Sequence, residues 1–231
     1  YKGAATTAKY AGVVTQSKSG GLYPLIYEKG VGSTTPYGWS SMTYLGGSLF
    51  KIDASTEYIA IGANDGTDER ILVADINSST YKSISATDAG IGTKIKTFAF
   101  NGNKLLVSGD STTAFCEITN LSTPISCSAD PDGITIAPKA MLNNGTEVLV
   151  YTDNRILVWD WLSESYTSDF TLPGGNIESV KFDPFASTDV VAVTTQGEVY
   201  NINLLSSNAT KVFTYATHLD KALTVEDIEK V

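Results

Sequence analysis

Several residue types that metal and nucleic-acid sites depend on are scarce in this chain. Its 231 residues include one His, two Cys and 18% charged residues, with 16 Lys and Arg against 25 Asp and Glu. A zinc site needs several closely spaced Cys or His ligands, and a nucleic acid needs clustered Lys and Arg, so we expect neither. The same charge argues against an anionic membrane surface. No run approaches the ~20 apolar residues that cross a bilayer, so we expect no membrane insertion.

What the chain does have is a repeat. Four stretches share two or three apolar residues, a polar residue and then a large or apolar one. They are ILVADIN (71–77), AFCEITN (114–120), ILVWDWL (156–162) and EVYNINL (198–204). Their polar positions, Asp75, Glu117, Asp160 and Asn201, recur every 41–43 residues. A period of 40–45 residues is typical of the four-stranded blades of a β-propeller.

Other strand-like runs surround each of these stretches, so that every repeat reads as strands A, B, C and D in chain order. The stretches above are the C strands. The B strands are YIAIGA (58–63), KLLVSG (104–109), EVLVYT (147–152) and VVAVTT (190–195). Strand B is the most continuously apolar, as expected of strands buried on both faces. The sequence therefore predicts an all-β fold, a propeller of four-stranded antiparallel blades.

One repeat also carries family motifs. Trp159-Asp160 stands in strand C, and KFDP (181–184) contains a Phe-x-Pro turn at the end of a strand A. In these features the chain resembles the WD40 family, which implies a β-propeller. Only one unit has Trp-Asp, none has the family's Gly-His dipeptide, and His218 is the one histidine. The resemblance is therefore WD40-like and does not extend to the family's His–Asp network.

The repeats predict a single domain of five blades. Four complete units span 48–90, 91–133, 134–175 and 176–220, and a partial unit in 1–47 lacks strand A. Residues 221–231 stand where that strand is needed, so we expect them to pair with the first blade and close the ring. Three alternatives stay open: a short helix in 221–231, donation of that strand to a neighbouring molecule in a filament, or a ring with further blades.

Four Asn-x-Ser/Thr sequons indicate the compartment. Asn77, Asn120 and Asn208 fall between strands C and D, and Asn144 falls between A and B. In a four-stranded meander these turns lie at the same end of the sheet, so all four sequons predict covalent N-glycans on one face. We therefore expect passage through a secretory pathway and an extracellular location. The chain begins with Tyr1, and we expect a leader or further chain upstream.

The two cysteines agree with that compartment. Cys116 is predicted on strand C and Cys127 on strand D of the same blade, equally far from the intervening turn. Cross-strand partners in a symmetric hairpin lie opposite each other, so the two residues can form a disulfide. Two buried free thiols are the alternative. A disulfide would require an oxidising compartment.

The opposite face carries the loops between B and C and between D and A. These loops are acidic, and we predict that they form the binding face. The candidate residues are Asp65, Asp68, Glu69, Asp88, Asp110, Asp130, Asp132, Asp153 and Arg155. NDGTDE (64–69) and DPDG (130–133) have acidic spacings found in calcium loops but lack the full pattern, so Ca²⁺ is a candidate ligand and no metal site is assigned. Asp and Gly also simply favour turns.

No catalytic motif is visible, so we predict no catalytic residues, no cofactor and a non-enzymatic role. The leading hypothesis is an extracellular module that binds a protein partner or self-associates. A lectin is the first alternative, with Trp39, Trp159 and Trp161 as sugar-stacking residues. A glycoside hydrolase is the last alternative, since some propellers have that activity. Its candidate carboxylates are Asp53, Asp75, Glu117, Asp160 and Asp183.

Overall fold

The structure is a computed structural model of residues 1–231. It describes residues 3–6, 10–16, 22–28, 37–38, 48–55, 57–64, 69–75, 80–183, 186, 188–206 and 208–214. The chain divides into two compact units, residues 1–137 and 138–231, which are described separately below.

The described residues of the first unit form three four-stranded antiparallel sheets, and each strand pairs with the next one along the chain. Sheet 1 consists of β1 (Gly3–Thr6), β2 (Tyr10–Gln16), β3 (Leu22–Glu28) and β4 (Tyr37–Gly38). Sheet 2 consists of β5 (Ser48–Ala54), β6 (Tyr58–Asn64), β7 (Glu69–Asp75) and β8 (Tyr81–Ser85). Sheet 3 consists of β9 (Ile95–Asn101), β10 (Lys104–Gly109), β11 (Thr113–Glu117) and β12 (Ser126–Ala129).

The second unit contains two sheets of the same kind. Sheet 4 consists of β13 (Ala140–Asn143), β14 (Glu147–Tyr151), β15 (Arg155–Asp160) and β16 (Ser165–Thr171). Sheet 5 consists of β17 (Ile177–Phe182), β18 (Asp189–Thr194), β19 (Glu198–Asn203) and β20 (Asn208–Thr214). The all-β class and the A-B-C-D order predicted from the sequence are therefore confirmed.

Among the described residues, two short helical turns occur, each between strand D of one sheet and strand A of the sheet that follows along the chain. Helix α1 (Ala86–Ala89) links sheets 2 and 3, and a 3-10 turn (Pro131–Gly133) follows sheet 3. Helix α1 begins with a capping box, in which Ser85 and Asp88 each accept a hydrogen bond from the other's backbone N–H. It ends at Gly90, whose left-handed conformation is the common helix stop. Within the described ranges, no helix has the length and hydropathy needed to cross a bilayer.

The alternation of side chains explains why the B strands are the most continuously apolar of the four. In β6, Ile59 and Ile61 pack with Val14 of sheet 1, whereas Tyr58 and Ala60 belong to the core shared with sheet 3. Successive residues of a strand point to opposite faces, so a sheet covered on both sides needs both sets to be apolar. In the second unit the core between sheets 4 and 5 is built in the same way, from residues such as Leu149 and Val190.

The structure corrects the assignment of the first strand. Residues 3–6 form strand A of sheet 1, with Gly3 opposite Val14 and Thr6 opposite Ala11. The expectation that the first unit lacks its own strand A is therefore wrong. The strand is short, and its Gly-Ala-Ala sequence has no apolar alternation from which it could be predicted. Residues 221–231, which were predicted to fill this place, lie outside the described residues.

The structure also corrects the alignment of the last repeat. The first residue of strand B pairs with Asp75 in sheet 2, Glu117 in sheet 3 and Asp160 in sheet 4. In sheet 5 the corresponding partner is Asn203, not Asn201. Ile202, not Tyr200, is accordingly the equivalent of Trp159. The sequence reads Asn-Ile-Asn at this point, and a shift of two residues preserves the strand's faces, so periodicity alone does not distinguish the two alignments.

Candidate functional sites at the two ends of the sheets

The A–B and C–D turns meet at one end of each sheet, which we call the turn end. In sheet 3 the Ile118 N–H donates to the Asn103 carbonyl at 2.8 Å. In sheet 4 the Trp161 N–H donates to the Thr146 carbonyl at 3.2 Å, and in sheet 5 the Leu204 N–H donates to the Thr188 carbonyl at 2.8 Å. The prediction that these two kinds of turn lie together is confirmed for these three sheets.

Two sequons lie in turns of the same geometry. Asn120 and Asn144 are both exposed, and the Oδ1 of each accepts the backbone N–H of the sequon's third residue at 2.9 Å. This Asx turn fixes the side chain through its oxygen. Among the described residues, no hydrogen bond is donated by either Nδ2, which is the atom that carries an N-linked glycan. Both acceptor residues are therefore exposed, and the nitrogen atom of each is not held by the turn.

The other two sequons differ from these. Asn208 begins β20 opposite Asn203, at the turn end of sheet 5, and is exposed. Asn77 lies outside the described residues. All three described sequons are therefore placed at turn ends, as the sequence predicted, and their glycosylation stays a prediction.

The two cysteines form a disulfide. Cys116 of β11 pairs directly with Cys127 of β12, and the two residues are bonded through their sulfur atoms. Cys116 is fully buried in the core between sheets 2 and 3, while Cys127 is half-buried. The cross-strand position derived from the symmetry of the hairpin is confirmed, and the bond ties the outermost strand of sheet 3 to its neighbour.

The B–C and D–A connections meet at the opposite end, which we call the loop end. In the first unit, Asp110 in the B–C loop of sheet 3 is hydrogen-bonded to the D–A connection that precedes the same sheet. Its carboxylate accepts hydrogen bonds from the Thr93 N–H and hydroxyl, both at 2.8 Å, and from the Lys94 N–H at 3.3 Å. These bonds, from the Thr93 hydroxyl first, lower the pKa of Asp110 from 3.8 to about 2. The residue before Asp110 is Gly109. A Cβ at this position would collide with the Ile91 carbonyl oxygen, so a larger residue does not fit.

Other acidic residues predicted on the binding face also have structural partners. Asp88 caps α1, and its hydrogen bonds with the Ser85 backbone and hydroxyl lower its pKa. Asp130 accepts a hydrogen bond from the Thr112 hydroxyl. Asp130 and Asp132 both adopt the left-handed conformation that Asp tolerates in turns. These side chains therefore shape the loops that carry them.

The acidic spacing that suggested calcium does not form a cluster in the described part of the chain. No group of three or more His, Cys, Asp or Glu side chains there is arranged to hold a metal ion. Glu69 is half-buried at the start of β7, apart from the 130–133 turn in sequence and sheet. Asp65 and Asp68 lie outside the described residues.

In the second unit the loop end is held by ion pairs. Lys139 Nζ lies 2.5 Å from the Asp153 carboxylate and also donates to the Ile177 carbonyl at 3.3 Å. Arg155 forms a two-point bond with Asp169, with Nε–Oδ1 at 2.8 Å and Nη2–Oδ2 at 2.5 Å. This bond raises the pKa of Arg155 and lowers that of Asp169. In this unit, one ion pair thus fixes the charged side chains of the two connections, and the other joins β15 to β16.

The carboxylates considered for a hydrolase occupy separate structural positions. Asp75, Glu117 and Asp160 each end strand C of a different sheet. Asp160 Oδ1 caps its turn by accepting the Ser163 N–H at 2.6 Å. Asp53 accepts hydrogen bonds from the N–H groups of Ala54 at 2.9 Å and Phe100 at 3.1 Å, the second of which joins sheets 2 and 3. Asp183 follows β17, and its N–H donates to the Asp189 carbonyl at 2.9 Å.

Two of the three tryptophans belong to the packing of sheet 4. Trp159 is fully buried, and its ring meets Tyr166 edge-on at a centroid distance of 5.1 Å. Trp161 is buried, and its Nε1 donates to Asn143 Oδ1 at 3.1 Å. Neither ring is exposed for stacking on a sugar, which agrees with a packing role. Trp39 lies outside the described residues.

A polar groove on sheet 5 was not predicted from the sequence. It has a volume of about 300 Å³ and is lined by Asp189, Asn201, Asn203, Asn208, Thr210 and Val212. The available signal was the run of polar residues at alternate positions of β19 and β20, where the other C strands are apolar on both faces. Asn208, the acceptor of a sequon, is part of its wall.

Comparisons with known proteins bear on the fold. No family model and no curated protein matches this chain. A chain in the crystal structure of a mitotic checkpoint complex is similar with a TM-score of 0.60 and 13% identity, covering 92% of this chain and 63% of that chain. AztD from Citrobacter koseri is similar with a TM-score of 0.57 and 12% identity, covering 91% of this chain and 57% of that one.

A WD40 domain from Toxoplasma gondii coronin also matches, with a TM-score of 0.49 and 13% identity, over 70% of this chain and 44% of that chain. The chain thus spans less than two thirds of the length of each of these three structures. The repeated four-stranded meander and the similarity to the mitotic checkpoint chain and AztD confirm the predicted fold, that of a β-propeller built from four-stranded antiparallel blades.

Proposed function

We propose that this chain is an N-glycosylated, extracellular propeller module that binds a protein partner through the loop end of its sheets and performs no catalysis. Glycans on Asn120, Asn144 and Asn208 occupy the turn ends of their own sheets. The charged connections of the loop end remain open to a partner.

The observation that carries the proposal is the difference between the two ends. The described sequons lie at turn ends. Asn120 and Asn144 are exposed, and each forms an Asx turn through its Oδ1 and not through the nitrogen that would carry a glycan. The Cys116–Cys127 bond supports the same compartment, because disulfides persist in oxidising environments. A bulky glycan prevents a partner from approaching the end that carries it, so the partner binds at the other end.

The rigidity of the loop end supports its role in binding. Asp110 in the first unit and Lys139 in the second hold their loops through hydrogen bonds and an ion pair, so little conformational entropy is lost when a partner orders the surface. The similar chain in a mitotic checkpoint complex is itself part of a protein assembly. Net charge −9 favours a partner with a cationic patch.

The compartment is tested on the protein from its native source. Peptide mass spectrometry after enzymatic release of glycans should find Asn120, Asn144 and Asn208 converted to Asp. Alkylation without reductant should leave both cysteines unlabelled. Unmodified asparagines together with two alkylated thiols would contradict an extracellular location.

The binding end is tested with substitutions that remove the charge of one carboxylate and keep the size of its side chain. The full glycosylated chain is immobilised, and capture of extracellular protein is measured for wild type, for D153N at the loop end of the second unit and for E164Q at the turn end of the same unit. We expect saturable, salt-sensitive binding that E164Q retains and D153N weakens, because charges at the rim of an interface act mainly on association. Equal binding by all three proteins would rule out the loop end as the site.

A further inference from the structure

The groove on sheet 5 has a definite position relative to the strands. Asp189, Asn203 and Asn208 lie opposite one another on β18, β19 and β20. Asn201 and Thr210 lie opposite each other two residues further along. Because side chains alternate along a strand, these residues share one face of the sheet.

The other face of the same sheet belongs to the core. Val190, Ala192 and Ile202 alternate with the groove residues and are fully buried. In β14 and β15 of sheet 4, by contrast, residues on both faces are buried, as Val148 and Leu149 show. Sheet 5 therefore presents amide, carboxylate and hydroxyl groups where the adjacent blade in this unit presents apolar side chains.

The hydrogen bonds in the groove divide its residues into two groups. Asn203 Nδ2 donates to Asp189 Oδ1 at 2.7 Å, and Asn203 Oδ1 accepts the N–H and hydroxyl of Ser206 at 2.9 Å. These bonds fix the floor of the groove. Among the described residues, the side chains of Asn201, Asn208 and Thr210 form no hydrogen bond to protein, so their donors and acceptors are open to a ligand.

We propose that this groove is a saccharide site that holds the first sugar of a glycan attached to Asn208. The inference rests on the N-glycosylation in the proposed function. A sugar ring is rich in hydroxyls and has an apolar face, and the groove offers the amide of Asn201, the hydroxyl of Thr210 and the 59%-exposed Val212. Since Asn208 itself forms part of the wall, a glycan on its Nδ2 begins inside the groove.

The covalent link makes weak contacts sufficient. A tethered ligand is present at a high effective concentration, so a few hydrogen bonds order it without any affinity for free sugar being needed. Asn120 and Asn144 provide an internal comparison, because neither lines this groove. Their glycans are expected to move freely, whereas the glycan on Asn208 is held against β19 and β20.

The test compares the enzymatic release of glycans at the three sites of the native, folded protein. We expect release at Asn208 to be roughly two- to tenfold slower than at Asn120 and Asn144, the effect of about one net hydrogen bond. N201A and V212A should each raise the rate at Asn208 and leave the other two sites unchanged. Thr210 is not replaced, because it completes the sequon. Circular dichroism checks that each variant is folded. If one of the two variants does not fold, the other still tests the proposal.

Each outcome has one meaning. A modified Asn208 that is released as fast as Asn144, with no effect of N201A or V212A, overturns the groove assignment and leaves the proposed function intact. An unmodified Asn208 overturns both the glycosylation proposed at this site and the groove assignment. The unglycosylated N208Q variant, mixed with the released glycan, distinguishes a groove for the protein's own glycan from a groove for external saccharides. Saturation-transfer NMR should show no binding at micromolar glycan, and tight binding would identify a site for external saccharides and overturn the assignment to the protein's own glycan.

Discussion

The Trp159-Asp160 pair shows how two adjacent residues of a repeat have separate physical roles. Trp159 is buried on β15, and the next residue, on the other face, ends the strand and caps the following turn through Ser163. The equivalent pair in sheet 5 is Ile202-Asn203, and Asn203 caps its turn in the same way through Ser206. The end of strand C therefore requires an apolar side chain for the core, followed by a side chain that accepts a hydrogen bond from the turn. Trp-Asp and Ile-Asn both meet these requirements.

We predict that Trp159→Ala destabilises the protein by about 3–5 kcal/mol, because it removes a fully buried ring and leaves a cavity beside Tyr166. Unfolding in urea, followed by circular dichroism, measures the change. The matched control is Leu162→Ala, three residues further along, whose side chain is 92% exposed. Its effect should be within about 0.5 kcal/mol. A small loss for Trp159→Ala would mean that the ring does not contribute to the core.

The pH dependence of stability should contain a contribution from Asp110. Its pKa is about 2 in the folded protein, against an ordinary value of 3.8. A carboxylate with a depressed pKa stabilises the folded state above its unfolded pKa, and this contribution is lost as the pH falls through the folded value. Asp110→Asn should therefore lower the melting temperature at pH 7, and the difference should shrink between about pH 4 and pH 2. A difference that is constant over this range would show that the charge of Asp110 is not involved.

At the scale of strands, the sequence predicted those with a strong apolar pattern and missed those without one. The B and C strands of sheets 2 to 5 lie where the repeat placed them. Strand β1, which is Gly-Ala-Ala-Thr, has no such pattern and forms by pairing with β2. The groove was missed for a related reason. Alternate Asn residues in β19 share one face in either alignment, but the sequence does not show that the facing residues of β18 and β20 complete a groove with them.

The disulfide predicts a redox-dependent stability of sheet 3. Its residues are 11 apart, so in the chain-entropy model the bond contributes about 2–3 kcal/mol. Reductant should lower the melting temperature of the wild-type protein and should increase hydrogen exchange in β12 first, because β12 is the outermost strand of its sheet. C116A/C127S is the control. It should melt at the lower temperature with or without reductant, and an equal response of both proteins to reductant would place the effect elsewhere.

At the scale of the whole chain, the physical constraint is the covering of the sheet faces. Each core described above lies between two consecutive sheets of one unit, as between sheets 2 and 3 or between sheets 4 and 5. Stability in such a repeat is mainly a sum of contacts between neighbours. The sequence predicted this arrangement because both faces must be apolar. It could not predict which segment supplies strand A of the first sheet, because that depends on pairing between backbones and not on side-chain pattern.

That pairing leads to a prediction about the two ends of the chain. Because Gly3–Thr6 already occupy the first position of sheet 1, this sheet does not need residues 221–231. Deletion of 221–231 should leave the melting temperature and the sedimentation coefficient unchanged. Deletion of residues 1–7 should lower the melting temperature, because it removes β1 and exposes the ladder groups of β2 to water. If the first deletion destabilises the protein as much as the second, or changes its oligomeric state, then residues 221–231 pair with a sheet of their own or of a neighbouring molecule, and the filament hypothesis regains support.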